Sequence, residues 1–408
     1  MLPPNITRRN LVRILLKSFA LLNLLPTKTI RAAISGGFHA SVRTPVKQSN
    51  KATLKKPIVV CIHDREATTW DFSNGYYIDF INQERIDSMF NEGLMLLTGT
   101  KDVKSAWLSI LPSYSHSDTF ALKPNFNCAD KDSSVIAKEI MTCPQILNAI
   151  IKTLMDHLGV KAEQIYIYDL CRPIPNDPIK NYIPYSVNYV ELPSSSLVDK
   201  LKVKLGIGLA APDKNAPVRL RGEVINSNGN RVKCYMPKLI TKIDHIINVP
   251  VAKYHQFGVI SGPLKNHYGT IRFGDNSLYP EYLHGKVFPL AVVDINRQAH
   301  IANKTRLNVV DFLFGSYDYK TPSHKKEVKK KWKTFPFGEV PNSLLLSLDP
   351  VATESVMRCF IGAERIASKL SIPGDAHLED AMRLGLGIYD RVLSYKAFKH
   401  INLVMKTV

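Results

Sequence analysis

Short apolar runs alternate with longer amphipathic stretches through the first half of the chain. Runs of strand length lie at 57–63, 119–123 and 165–169. Ahead of the third run, apolar residues recur every three or four positions from Ile146 to Leu158, between Pro144 and Gly159, a pattern typical of a helix. Two more helices are predicted near 80–98 and 102–111. This strand–helix–strand order predicts an α/β fold whose mainly parallel sheet is flanked by helices.

The middle of the chain departs from this order. Segments 219–225 and 231–236 flank Asn226-Ser227-Asn228-Gly229, which is typical of a tight turn, and they predict an inserted β-hairpin region. Later strands are predicted at 243–249, 307–312 and 343–347, followed by a helix over about 350–370. We expect residues 51–408 to form a single large α/β domain, with possible sub-lobes at 57–200 and 201–408.

The positive charge is concentrated in two segments. The 408 residues include 54 Lys and Arg against 35 Asp and Glu, a net charge of +19. Eleven of the basic residues precede Asp64, the first acid, and the segment 325–333 carries a net +5. The remainder is nearly neutral, and a nucleic-acid-binding domain would spread its charge over a folded face. We therefore expect no nucleic-acid partner, and we interpret 325–333 as a solvated loop.

Residues 1–50 resemble an export leader followed by a basic linker. Arg8 and Arg9 stand just before an apolar run at 14–25, the layout of a twin-arginine signal peptide. The run is too short to cross a bilayer, so no stable membrane span is expected. This interpretation predicts a contact with the twin-arginine export machinery and a periplasmic location. A mitochondrial transit peptide and an uncleaved basic amphipathic helix remain open alternatives.

The cysteines and the familiar motifs do not identify a cofactor. The chain has six cysteines, and no two of them have CxxC spacing, so the sequence contains no motif for an iron–sulfur cluster or a zinc ribbon. The GxSxG elbow, P-loop, HExxH and EF-hand patterns are also absent from the sequence. The cofactor and any metal stay unknown at this stage.

The densest group of reactive side chains lies at 248–269, where the chain leaves a predicted strand. Lys253 and Lys265 can neutralise a carboxylate or a phosphate, and a desolvated lysine can act as base or nucleophile. His255 and His267 suit proton transfer near neutral pH. In open α/β sheets ligands bind at the carboxyl ends of strands. We therefore assign candidate catalytic roles to Lys265, His255 and His267, and a substrate-binding role to Lys253.

Other residues of the same kind extend this candidate site. Lys123 and Asn125 stand at the end of the strand predicted at 119–123. Gly262 precedes a proline and could open a helix whose free N–H groups attract an anion. Asn266 and Gly269 follow within the same turn. All five are candidate substrate-binding residues. Thr142, just before the periodic helix, is a natural N-cap.

In order and spacing, these residues resemble the domain-of-unknown-function 362 family across roughly 57–365. The resemblance is carried by Lys123-Pro124-Asn125, Thr142-Cys143-Pro144, 165–169, Asn248-Val249-Pro250, Lys253-Tyr254-His255, 262–269, Val310-Asp311 and 347–352. The most specific elements are Leu-Lys-Asn-x-x-Gly at 264–269 and Asp-Pro-Val-Ala at 349–352. The resemblance implies a fold and the location of a site more than a reaction.

The chain also departs from that family. Members often carry twin-arginine leaders, and many carry ferredoxin-like cysteine clusters, which this sequence lacks. Glu354 stands where the family usually has a second aspartate. The long lysine segment at 325–333 replaces a short link. The stretch 261–269 is also faintly similar to a region of nickel-dependent lactate racemases.

Three functions follow as hypotheses. The first is an enzyme that acts on a small anionic substrate, a carboxylate or a phosphate, at a site lined by Lys, His and Asn. The second is a non-catalytic periplasmic binding or cofactor-maturation protein that uses the same pocket. The third is a metal-dependent enzyme, distantly similar to lactate racemase, with His255, His267 and an acid such as Asp294 or Asp311 as ligands.

Overall fold

A computed structural model describes residues 55–71, 76–126, 140–191, 205–226, 228–255, 259–275, 283–284, 287–318 and 331–408. The leader, Ser227 and most of the lysine-rich segment lie outside these ranges, and so does the boundary predicted at residue 50. The interpretations made for them stay predictions.

The strands of the described residues alternate with helices in the first half and cluster in the second. In chain order they are β1 (Ile58–His63), β2 (Phe120–Pro124), β3 (Ile165–Asp169), β4 (Asn188–Glu191), β5 (Pro212–Val218), β6 (Cys234–Pro237), β7 (His245–Val249), β8 (Val251–His255), β9 (Val259–Ser261), β10 (Arg272–Phe273), β11 (Thr305–Ser316), β12 (Ser343–Ser347) and β13 (Asn402–Thr407).

The four helices predicted near 80–98, 102–111, 146–158 and 350–370 are all present. In chain order the helices are α1 (Gln83–Thr98), α2 (Val103–Ile110), α3 (Pro144–Leu158), α4 (Lys238–Lys242), α5 (Pro263–Asn266), α6 (Phe288–Asn296), α7 (Ala299–Ala302), α8 (Pro350–Ala367) and α9 (Ala376–Arg383). Gly159 ends α3 in the left-handed conformation, and the Asp349 carboxylate caps α8 by accepting from Val351 N and Ala352 N at 2.8 Å.

One large sheet organises the fold. Eight strands follow the order β13-β1-β12-β11-β7-β2-β3-β4, and β8 and β9 join beside β11. The pairs that involve β12, and the pair β8–β9, are antiparallel, while the other pairs are parallel. The predicted fold class, a mainly parallel α/β sheet flanked by helices, is confirmed.

Helices cover both faces of the sheet. Successive residues of a strand point to opposite faces, and in the central strands the residues on both faces are apolar. In β1, Val60 and Ile62 belong to the core beneath α1, α2 and α3, while Val59 and Cys61 belong to the core beneath α8. A third core lies between the sheet and the α6–α9 side. Strands that are buried on both faces form continuous apolar runs, and such runs allow strands to be predicted from the sequence.

The inserted β region exists, and β6 overlaps the predicted segment 231–236, but its other two strands, β5 and β10, lie outside the predicted segments. The turn at Asn226 forms, yet Ile225 and Arg231 make only an isolated bridge, and the ladder pairs β5 with β6 and β6 with β10. In the predicted strand 219–225, Arg221 donates through its backbone N–H and its Nε to the carboxylate of Asp294, at 2.6 and 2.7 Å. The backbone is thereby held by a helix instead of a neighbouring strand.

Strand β11 is long enough to pair with two strands in succession. Its 12 residues pair first with β7 and then, past Pro250, with β8. Pro250 has no N–H to donate, but its carbonyl accepts from Asp311 N at 2.8 Å. Lys253 and His255, which the sequence placed after a strand, therefore lie within one.

Two other sequence expectations concern cysteines and membranes. The five cysteines among the described residues are all free thiols, and only Cys171 is more than slightly exposed. In the described part of the chain, every helix is too short or too polar to cross a bilayer.

Candidate functional site

The polar residues of the candidate site meet because neighbouring parallel strands end at one edge of the sheet. Lys123 in β2 lies opposite Asn248 in β7, and β3 runs parallel to β2 on its other side, ending at Asp169. The chain returns to this edge through β9, α5 and the 3-10 turn at His267–Thr270. Residues far apart in sequence are thereby brought together.

Lys123 and Asp169 form a buried ion pair. The Lys123 Nζ lies 3.1 Å from Asp169 Oδ2 and donates to the carbonyl of Pro124 at 2.7 Å, while the two side chains are 1% and 2% exposed. The Asp169 carboxylate also accepts from the backbone N–H of Cys171 at 3.0 Å and from its thiol at 3.1 Å. This pair is well supplied with partners, as a buried charge pair requires.

Gly269 lies directly against this ion pair. A Cβ at this position would be 2.8 Å from Asp169 Oδ1 and 2.9 Å from Lys123 Nζ, closer than ordinary packing allows. The glycine predicted as a ligand-binding residue thus has a packing requirement of its own.

Asn266 holds the turn to the sheet. Its Nδ2 donates to Lys123 O and to Asn248 Oδ1, both at 2.7 Å. Asn248 in turn donates to Pro263 O and to Asn308 Oδ1, both at 3.0 Å. Because these amide N–H groups bond to protein, the structure gives Asn266 a positioning role.

The N–H groups that Gly262 was predicted to present to an anion face a carboxylate of the protein itself. Leu264 N donates to Glu354 Oε2 at 3.0 Å, and His377 Nε2 lies 2.7 Å from Glu354 Oε1. Glu354 is fully buried, and a Cβ on Gly262 would come within 2.9 Å of it. The sequence marked Glu354 as a departure from the family, and the structure shows it anchoring the turn.

Asn125 and Thr142 join two strand ends. The Thr142 hydroxyl accepts from Asn125 N at 2.8 Å and donates to Val249 O at 2.7 Å. The N-cap of α3 is Cys143, so the expectation that Thr142 caps the helix is wrong. Its hydroxyl instead connects the ends of β2 and β7.

The second half of the site contains two lysines, Lys253 and Lys265. Lys253 is buried in β8, opposite Ser261 in β9. The Lys265 Nζ lies 5.3 Å from the ring centre of Tyr268 and forms no ion pair with any described residue. Burial, and next the charge of Lys253, lower the pKa of Lys265 to about 8. Lys265 is therefore partly deprotonated in mildly alkaline solution.

Both candidate histidines are neutral at physiological pH. Burial, followed by the charge of Lys265, lowers the pKa of His255 to about 2, and its ring stacks on His284 with centroids 5.5 Å apart. Burial, followed by the charge of Lys123, lowers the pKa of His267 to about 3, and its Nδ1 lies 3.1 Å from Thr270 Oγ1. In the free protein neither is an imidazolium acid, although each imidazole can still form hydrogen bonds.

Sequence reasoning missed three residues beside this group. Cys171 and Arg172 follow Asp169 in the loop after β3, and Arg272 opens β10. Burial, and next the Asp169 carboxylate, raise the pKa of the Cys171 thiol, so it is protonated at neutral pH. The Arg272 guanidinium, 1% exposed, donates to Leu170 O at 3.3 Å. Its only sequence signal is a basic residue between two apolar ones, Ile271 and Phe273.

The residues proposed as metal ligands lie apart in the structure. Asp294 binds Arg221, and the Asp311 carboxylate accepts from Cys143 N and Leu313 N. Among the residues that the structure describes, no group of three or more His, Cys, Asp or Glu side chains is arranged to hold a metal ion. The ligand set predicted from the sequence is therefore not assembled.

An open groove lies elsewhere, at the β1–β13 edge of the sheet. It encloses about 560 Å³ and is lined by Lys55, Lys56, Ile58, Tyr395, Lys396, Phe398, Ile401, Asn402 and Leu403. It contains none of the residues predicted to carry chemistry.

Solved structures that are similar to this chain include the following two. One is a crystal structure of a protein from Thermotoga maritima, with 13% identity, a TM-score of 0.35 and 71% of this chain covered. The other is the lactate racemase apoprotein from Thermoanaerobacterium thermosaccharolyticum, with 15% identity, a TM-score of 0.27 and 63% covered. The chain spans 60% and 51% of their respective lengths.

A comparison with curated proteins gave no match. The model of the domain-of-unknown-function family DUF362 matches residues 121–358, more than half of the chain, and this range contains every candidate site residue. The resemblance seen in the sequence is thereby confirmed, and the chain belongs to the DUF362 family.

Proposed function

We propose that the protein is an enzyme that acts on a small anionic substrate, bearing a carboxylate or a phosphate, at the edge where β2, β3 and β8 end. The observation that carries this proposal is the charge of Lys265, which forms no ion pair with a described residue. The charge of Lys253 lowers the affinity of Lys265 for protons, and the two nearby carboxylates, Asp169 and Glu354, are already bound to Lys123 and His377. An anion would relieve this repulsion.

Lys265 is the residue best suited to chemistry. With a pKa of about 8, a useful fraction of its amine is neutral near physiological pH and can take a proton or attack a carbon. Its short helix is fixed by Asn266 and Glu354, so the amine is held by rigid neighbours. Lys253 would bind the anionic group of the substrate and keep the pKa of Lys265 low.

A non-catalytic binding protein is the second candidate. The observation in its favour is that His255 and His267 are both neutral, since neither then supplies an acid for proton transfer. A binding protein needs only the lysines that bind the anion, and it needs no residue that transfers a proton.

We also propose that the protein is exported by the twin-arginine route to a periplasmic space. The paired arginines and the short apolar run after them support this, and fractionation of cells that express an Arg8→Lys/Arg9→Lys variant tests it. Equal export of variant and parent would exclude the route.

The test of function separates binding from turnover. Phosphate and small carboxylates are expected to raise the melting temperature of the parent protein and of Lys242→Met, an exposed-lysine control, but not of Lys265→Met. The same compounds are then incubated in D2O and followed by NMR. Deuterium incorporation or consumption that requires Lys265 indicates an enzyme, and stabilisation without any change indicates a binding protein. Equal stabilisation of Lys265→Met contradicts both.

A further inference from the structure

Arg272 is a fully buried cation whose hydrogen bonds are incomplete. Its Nη1 donates to Leu170 O at 3.3 Å, but Nε and Nη2 have no partner among the described residues. These two nitrogens form one edge of the guanidinium plane. That edge presents two parallel N–H groups, the arrangement that matches the two oxygens of a carboxylate or a phosphate.

A second buried arginine shows how this protein normally satisfies such a group. Arg365 donates from Nε to Ser371 O at 2.5 Å and from Nη1 to Tyr317 O at 2.8 Å, and its guanidinium lies 3.5 Å from the ring centre of Tyr254. Buried polar groups are usually bonded, and an unbonded one calls for an explanation such as strain, a catalytic role or a bound water or ion. Nε of Arg365 thus has a hydrogen-bond partner, whereas Nε of Arg272 has none among the described residues.

The position of Arg272 connects it to the candidate site. The carbonyl that it binds belongs to Leu170, whose own N–H donates to Gly269 O at 3.0 Å. Arg272 and Lys265 both lie near Cys171, the next residue of that loop. The nearest acid of the loop, Asp169, is held by Lys123 and Cys171. No carboxylate of the described residues pairs with Arg272.

We propose that the Nε–Nη2 edge of Arg272 is an oxyanion subsite, which binds two oxygens of a carboxylate or phosphate on the ligand that Lys265 contacts. The subsite rests on the function proposed above, since both residues would hold one ligand. It adds a requirement that Lys265 alone does not impose: the anionic group must offer two oxygens to a planar fork, which chloride cannot do.

Direct observation of the anion is the first test. In crystals grown with selenate, an oxyanion that scatters anomalously, we expect an anomalous peak against Nε and Nη2 of Arg272. Water alone at that edge would show that the guanidinium is satisfied by solvent, and the subsite would be wrong. A peak confined to surface lysines, an adventitious ion only, would also overturn it.

Affinity provides the second test. Arg272→Lys keeps the charge but loses the fork, so the affinities for acetate and phosphate are expected to fall roughly tenfold or more. Arg231→Lys, at an arginine that is 78% exposed, is the matched control and should bind like the parent. Acetamide is the neutral counterpart of acetate and should not bind. The better of acetate and phosphate identifies the anionic group.

The outcomes distinguish the subsite from the proposed function. If Lys265→Met loses anion binding and Arg272→Lys retains it, the proposed function stands and the subsite is wrong. If no anion binds the parent protein and selenate is absent, both are wrong. Should Arg272→Lys fail to fold, the selenate peak in the parent protein decides.

Discussion

Two neighbouring groups of buried and half-buried cations differ in whether the protein supplies a carboxylate to pair with them. On one side, Lys123 is paired with Asp169, bonded to a backbone carbonyl and packed against Gly269. On the other, the half-buried Lys265 and the buried Arg272 lie near Cys171 and form no ion pair with an acid of the described residues. The first group is complete without a ligand, and the second is not.

The difference shows that burial of charge does not by itself mark a functional site. A buried ion pair with all its hydrogen bonds belongs to the architecture, and it stabilises one arrangement of strand ends. A buried cation without a partner destabilises the unliganded fold, and a protein retains it where a ligand supplies the missing charge. The candidate site is therefore centred on Lys265 and Arg272.

The largest expected effect comes from breaking the complete pair. Lys123→Met leaves the Asp169 carboxylate buried without its cation, and we expect the free energy of unfolding to fall by about 3–5 kcal/mol. Urea unfolding followed by circular dichroism measures this. Lys152→Met is the control, because its ammonium forms an exposed pair with Asp87 at 2.7 Å, and it should cost less than about 1 kcal/mol. Equal losses in the two variants would contradict the comparison.

A smaller effect is expected where the pair meets Gly269. In Gly269→Ala the added Cβ overlaps the Lys123–Asp169 contact, and the free energy of unfolding should fall by about 1–3 kcal/mol. Gly262→Ala, which meets Glu354 in the same way, is the companion variant. Thermal unfolding without added anion measures both. A Gly269→Ala protein as stable as its parent would show that the ion pair can move aside.

The smallest effect on the free energy of unfolding is expected at Lys265. Its sign is opposite, because removing this charge should stabilise the protein. The pKa of Lys265 is lowered from 10.5 to about 8 on folding, so between these values the unfolded chain binds more protons. The stability of the parent protein should therefore rise with pH from about 8 to 10.5, and because the amine is half-buried and screened by solvent, this group contributes on the order of 1 kcal/mol in total. Lys265→Met lacks that rise and should be more stable at pH 7 by on the order of 1 kcal/mol.

Unfolding curves of both proteins from pH 7 to 10.5, in a buffer without phosphate or carboxylate, measure that difference. The difference between the two proteins isolates Lys265 from other groups that titrate in this range. A constant difference across the range would mean that the amine is charged and satisfied in the free protein.

Much of the fold could be predicted because its strands are buried on both faces. The runs at 165–169 and 343–347 coincide with β3 and β12, and the period of Ile146–Leu158 gave α3. The strands of the inserted region were harder to predict from the sequence, because backbone groups of that region bond to side chains that are distant in the sequence. Arg221 bonds to Asp294, which is 73 residues away, and no local pattern signals that contact.

Only those residues of the candidate site that lie close together in the sequence could be predicted. Lys253, Lys265 and the two histidines were found because they are close in sequence. Arg272 stands alone between apolar residues, and its importance depends on hydrogen bonds that the structure shows to be missing. A sequence motif does not show whether a side chain has hydrogen-bond partners, so Arg272 could be recognised only from the structure.

The bond between Glu354 and His377 and the pairing of β1 with β13 together set a lower limit on the length of chain that can fold as a unit. A shortened chain cut at residue 358, where the family match ends, would keep Glu354 but lose His377 and β13. Glu354 would then lose the imidazole beside its carboxylate, and β1 would present an unpaired edge. Truncation at the family boundary should therefore yield an aggregating fragment, whereas the shortest stable version extends through Thr407.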